Sequence, residues 1–145
     1  MSRLLAIAIK EKKRAPMLAL NHAEVTSEKG VAFDFRGKPG KRQVTVLSAH
    51  AWQKACDELA TSLDWTTRRA NILVDELALH ESTGKIIKIA DVELLITGET
   101  DPCERMEQAV PGLSSALAKD WRGGVCCRVL KPGKIRLNDE VQLLG

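Results

Sequence analysis

A proline-cysteine pair stands just beyond an apolar run: Val92-Glu93-Leu94-Leu95-Ile96-Thr97 leads through Thr100-Asp101-Pro102 to Cys103, with Glu104-Arg105-Met106 behind it. The run reads as a strand, and the segment after Thr100 reads as the start of a helix. Thr100 or Asp101 can cap, and Pro102 suits the first helical position because its missing N–H has no intrahelical partner to lose. Cys103 then falls in the first turn, where free N–H groups, the helix dipole and nearby Arg105 favour a thiolate. Such a sulfur suits a nucleophile or a sulfur ligand; the competing reading is a small buried hydrophobe. His22, His50 and His80 are scattered, which leaves Asp34 and Asp101 as the candidate proton donors.

Arginines head several apolar runs. Arg42-Gln43 precedes one, and Arg68-Arg69-Ala70-Asn71 precedes another. Of the second pair, one guanidinium can meet a carboxylate while the other presents its planar fork to an anion. In Trp121-Arg122-Gly123-Gly124, two glycines before Val125 permit either close approach of backbone to a ligand or a plain turn. If Val125 opens a strand, Val125, Cys127 and Val129 share one face, and Cys126 shares the other with Arg128 and Leu130.

The rest of the chain bounds these options. At 145 residues it is expected to form a single domain (1–145) with one core, and 44% hydrophobic with 28% charged residues is ordinary for a globular protein. A net charge of +3 is too mild to argue for nucleic acid. Of the basic clusters, Lys10 to Arg14 reads as a solvated loop, whereas Arg36 to Arg42 and Arg68-Arg69 adjoin apolar runs and can serve a bound phosphate. No run reaches membrane-spanning length, and Leu4 to Ile9 is too short for a secretory signal, so a cytoplasmic protein with reduced thiols and no membrane partner is expected. There is no Cys-x-x-Cys pair for structural zinc, no phosphate-binding glycine loop and no Gly-x-Ser-x-Gly elbow.

Short strands dominate the pattern, at 4–10, 23–26, 42–47, 71–74, 85–89, 92–97, 125–130, 134–137 and 140–144, separated by Gly, Pro-Gly and Asn-Asp breaks. Asn138 accepts the left-handed backbone of a tight turn into the last strand. Ser48 caps a helix over 49–60 that carries Trp52, Cys56 and Leu59 on one face, so Cys56 belongs to the core. Leu113 and Leu117 mark a second, shorter helix. The fold class is mainly β with a few helices (α+β), arranged as a closed or nearly closed barrel or a sandwich.

Five segments together resemble the MOSC family, the domain related to the C-terminal part of molybdenum cofactor sulfurase. They are Lys41-Arg42-Gln43-Val44-Thr45-Val46-Leu47-Ser48, Arg69-Ala70-Asn71-Ile72-Leu73-Val74, Thr100-Asp101-Pro102-Cys103, Arg122-Gly123-Gly124-Val125 and Gly133-Lys134-Ile135-Arg136-Leu137-Asn138-Asp139. The resemblance implies a closed β-barrel with peripheral helices and a molybdenum-pterin (molybdopterin) cofactor ligated by Cys103. It also implies cofactor contacts from Arg42, Arg69, Asn71, Arg122 and Arg128. Two activities come with it: reduction of N-hydroxylated compounds at molybdenum, or carriage of a persulfide on Cys103 with a sulfur donor or acceptor protein as partner. A non-catalytic barrel is the third option, and pyridoxal phosphate is not expected. One departure stands out: where family members often have Gly-Asp-x-His, this chain has Ala32-Phe33-Asp34-Phe35, which leaves only Asp34.

Overall fold

The computed structural model describes residues 2–101 and 104–145, so the expectation of Cys103 in a first helical turn lies outside the described residues. Strand β1 (Ser2–Ile9) is followed by the short β2 (Leu18–Leu20), β3 (His22–Thr26) and β4 (Gly30–Val31). Then come β5 (Val44–Ser48), helix α1 (Ala49–Glu58), β6 (Ile72–Val74), β7 (Ile86–Ile89) and β8 (Val92–Glu99). Helices α2 (Glu104–Ala109) and α3 (Leu113–Ala118) precede β9 (Val125–Lys131), β10 (Gly133–Arg136) and β11 (Glu140–Leu144).

Seven strands close a ring in the order β1-β11-β7-β8-β9-β5-β6, with β6 returning to β1, while β2 hangs on β1 and β10-β3-β4 form a small separate sheet. Closure leaves no open edge within the ring. Every pairing in it is antiparallel except β5 with β6. A parallel pair needs a crossover, and α1 with a 3-10 turn at Trp65–Arg68 supplies it.

Alternation sorts the side chains into two cores. Val44 and Val46 of β5, with Ile72 and Val74 of β6, point into the barrel among Leu4, Ile7, Leu94 and Ile96. Leu47 and Leu73, one residue out of phase, face outwards and are buried under the helices with Trp52, Cys56, Met106, Leu113 and Leu117. The helices therefore cover one outer flank of the barrel. Ser48 caps α1 as expected, its Oγ accepting from Ala51 N at 3.3 Å, and the helix ends at Glu58, two residues before the expected boundary.

Strand β5 begins at Val44 rather than Arg42, and β2 and β4 add to the expected strands, because three- and two-residue strands carry no periodicity to read. Asn138 takes φ 76° in the turn before β11, as its side chain suggested. Gly124, at φ 94°, is required by packing: a Cβ there would lie 2.3 Å from the carbonyl oxygen of Val46. The second glycine of the pair thus lets β9 meet β5, which answers the ligand-or-turn question for that residue in favour of the chain's own backbone.

Candidate functional site

Chain segments from both ends of the crossover meet beside the barrel. Lys10 directly succeeds the last residue of β1, Arg68 and Arg69 close the 3-10 turn, and Asn71 leads into β6. Together with Asp34, Arg36, Arg42, Thr45, Arg105 and Met106 they line a cavity of about 250 Å³. Six of these residues are basic and Asp34 is their one carboxylate.

The two adjacent arginines have different work. Arg68 is buried, at 5% exposure. Its Nε donates to Gly123 O at 2.9 Å, and its Nη2 donates to Thr100 O at 2.6 Å and to Asp101 O at 3.3 Å. It therefore ties the 3-10 turn to the backbone that runs towards Cys103. Arg69 sits at φ 62°, a left-handed conformation that costs a non-glycine residue about 1 kcal/mol or more. Its Nη2 donates to Ala15 O at 2.6 Å, but its Nε is buried with no acceptor among the described residues. An orphaned buried donor is costly unless something else satisfies it.

Lys10 lines the same cavity. The residue is 6% exposed. Burial pushes its pKa down, and the nearby charges of Arg69, Arg36 and Arg105 push the same way against Asp34. Burial, Arg105 and Arg36 likewise depress Arg69. Like charges gathered in a half-closed space are unfavourable without a counter-anion.

Asp34 and Asn71 are already engaged. The Asp34 carboxylate accepts from Lys10 N at 2.9 Å and Arg36 N at 3.3 Å, which braces the backbone around the cavity. Asn71 Oδ1 accepts from Thr45 N at 3.1 Å, and its Nδ2 donates to Ala8 O at 3.3 Å, stitching β5 and β1 to the start of β6. Gln43, buried beneath the same loop, donates to Ser27 O and Gly37 O and accepts from Val129 N.

The expected site residues are thus divided by the fold. Arg42, Arg69, Asn71 and Asp34 come together at the cavity. Arg122 does not line it: its Nη1 lies 2.9 Å from Glu58 Oε2 and also donates to Ala116 O, joining α3 to α1. Arg128 is exposed on the outer face of β9, and Asp101 is exposed and enters the network through its carbonyl. Lys10, Arg36, Arg68 and Arg105 also line the cavity. Lys10 corrects the reading of its cluster as a solvated loop: it directly succeeds β1, whose last three residues are all buried. That apolar run was the available signal.

Three thiols lie among the described residues, and all are buried. Burial pushes the Cys56 and Cys127 thiols up, which makes both poor nucleophiles. Cys126 Sγ lies 3.3 Å from Thr100 Oγ1, so it faces the same segment that Arg68 grips.

The donor set has the chemistry of an anion site: a buried guanidinium N–H with no acceptor among the described residues, with an ammonium and four further guanidinium groups at one cavity. A phosphate-bearing group fits it. The family profile of the MOSC domain matches residues 21–142. This chain belongs to the MOSC domain family. The YUAD protein of Bacillus subtilis superposes with a TM-score of 0.79 at 20% identity, covering 99% of this chain and 96% of that one. YiiM of Geobacillus stearothermophilus gives 0.79 at 13% identity, over 100% of this chain and 76% of its own. YiiM of Escherichia coli gives 0.73 at 13%, over 99% and 70%. At these identities the likeness establishes the fold. Comparison with curated protein sequences gives no significant match.

Proposed function

We propose that this MOSC domain binds the phosphate-bearing molybdenum-pterin cofactor in the cationic cavity, with Cys103 as the sulfur ligand to the metal, and reduces N-hydroxylated compounds. The observation that carries the reading is the buried Nε of Arg69, which has no acceptor among the described residues and lies at the same cavity as Lys10. A phosphate at neutral pH brings close to two negative charges and three acceptor oxygens, enough to satisfy both and to offset the mutual repulsion of Arg36, Arg69 and Arg105.

When bound, the cofactor supplies a two-electron redox centre. Reduction of an N–OH group to N–H consumes two electrons and two protons and releases water, so an external electron donor belongs to the reaction. Within the chain, Lys10, Arg42 and Arg69 hold the phosphate, and Arg68 holds the carbonyls of Thr100 and Asp101, keeping the approach to Cys103 in place. Asp34 orients the backbone of Lys10 and Arg36. Its carboxylate already accepts from two N–H groups, so it braces the cavity wall, while Asp101, the other expected proton donor, does not line the cavity.

The test is molybdenum content per chain after expression in a host that makes the pterin, with Cys103→Ala and Arg69→Met alongside. Near-stoichiometric metal in the parent, lost in both variants, supports the reading. Absence of metal, with a mass increase of one sulfur that reductant removes and Cys103→Ala lacks, replaces it with persulfide carriage.

A further inference from the structure

The two phenylalanines of the chain, Phe33 and Phe35, both stand outside its cores. Phe33 is 81% exposed and Phe35 43% exposed. Phe33 also holds φ 70°, in the left-handed region that a bulky side chain rarely adopts. Neither packing nor backbone preference accounts for a phenylalanine there. A left-handed outlier at an exposed aromatic residue motivates a functional reading of the loop.

The loop that carries them is held firmly. Asp34 N donates to Val31 O, Phe35 N to Lys10 O and Gly37 N to Asp34 O. The Asp34 carboxylate and the Gln43 amide fix it from beneath. Its two rings are therefore presented by a braced backbone.

Position gives the loop its meaning. Asp34 lines both the cationic cavity and, on the other side of the loop, a wide open groove bounded by Phe33, Phe35, Leu20 and Leu137. On the cavity side the rim is basic: Arg36 and Arg42 line the mouth, and the exposed Lys12, Lys13 and Arg14 lie on the turn whose Ala15 carbonyl takes the Arg69 bond.

From this arrangement we infer that the Phe33–Phe35 loop and the basic rim form a docking surface for an acidic protein, which seats an apolar patch against the two rings and carboxylates against the arginines and lysines. The inference rests on the proposed reductase, whose electrons must arrive from outside, and names the kind of carrier that brings them. Other occupants suit the surface less well. A second copy of this chain would bring like charge to like charge at the rim. A flat bilayer cannot enter a concave groove.

Titration of the 15N-labelled full chain with a small acidic flavodoxin, at low salt, tests this. A basic protein of similar size, single-stranded oligothymidylate and anionic lipid vesicles serve as the comparison probes. Expected are amide shifts confined to residues 11–15 and 32–38 with the acidic protein alone, binding at least tenfold weaker in Phe33→Ala with an unchanged spectrum elsewhere, and loss of binding in 0.5 M salt. Absence of shifts, shifts on another face, unchanged affinity in Phe33→Ala, or a stronger response to oligothymidylate or vesicles overturns it. Because the readout needs no metal, these outcomes are independent of whether the chain retains molybdenum.

Discussion

Nη2 of Arg68 lies 2.6 Å from the carbonyl oxygen of Thr100, so a buried cation at the end of the crossover is bonded to the backbone that leads to Cys103. The same side chain reaches Gly123 O at 2.9 Å, and a Cβ on Gly123 would come within 3.2 Å of its Nη2. One guanidinium thus fastens three chain segments that are distant in sequence: the 3-10 turn, the end of β8 and the entry to β9.

Replacing Arg68 by Met leaves those carbonyls without a donor in a buried space. Hydrogen bonds from charged groups contribute about 1.5–3 kcal/mol each, so a loss of about 3 kcal/mol or more is expected. Arg68→Lys keeps the charge but not the planar fork and should recover only part of it. Thermal unfolding of the three proteins side by side measures the ordering, and a Met variant as stable as the parent would contradict it.

Gln43 makes a parallel case beneath the aromatic loop. Its Nε2 donates to Ser27 O at 2.8 Å and Gly37 O at 3.1 Å, and its Oε1 accepts from Val129 N at 2.9 Å, all at 2% exposure. Gln43→Leu should cost about 2–3 kcal/mol, from the unsatisfied groups it leaves. Gln43→Glu should be worse at neutral pH, because a buried carboxylate would face two carbonyl oxygens, and should recover as the pH falls and the acid regains a donor. Denaturant midpoints for the two variants at pH 5 and pH 8 check both statements.

Much of this arrangement was readable from sequence, for identifiable reasons. The barrel announced itself through alternation: Val44 and Val46, then Ile72 and Val74, then Val125, Cys127 and Val129 all point inwards. The caps at Ser48 and the turn at Asn138 are local chemistry and appeared where local chemistry put them. The cavity is different, because its members come from the segment after β1, the loop after β4, β5, the crossover and α2. Sequence marks six of those residues as basic but not as neighbours. Arg122 and Arg128 looked equivalent to Arg42 and Arg69 until the fold turned them to Glu58 and to the barrel's outer face.

Arg69 should separate stability from binding. Arg69→Met loses one hydrogen bond, to Ala15 O, but also removes a desolvated charge and its repulsion from Arg105 and Arg36. These effects oppose each other, so unfolding free energy should stay within about 1 kcal/mol of the parent. Affinity for inorganic phosphate, measured by calorimetry on the protein without metal, should fall at least tenfold. A large loss of stability with phosphate affinity intact would show Arg69 to be a structural residue.

Lys10 gives the site a pH signature whose sign is fixed. Its folded pKa is lowered from 10.5, first by burial and then by Arg69, Arg36 and Arg105, so the unfolded chain holds the proton more tightly than the folded one. Stability therefore rises with pH between the lowered folded value and 10.5, as the folded protein sheds a charge that the unfolded chain still carries. Lys10→Met removes that charge at every pH. The variant should be more stable than the parent near neutrality, with the advantage shrinking as the pH climbs towards 10.5. Added phosphate should narrow the gap at neutral pH by stabilising the parent, since a bound anion favours the protonated amine. Melting temperatures of parent and variant from pH 7 to pH 10, with and without phosphate, give the comparison. A constant difference across that range would mean that folding leaves the Lys10 proton affinity unchanged.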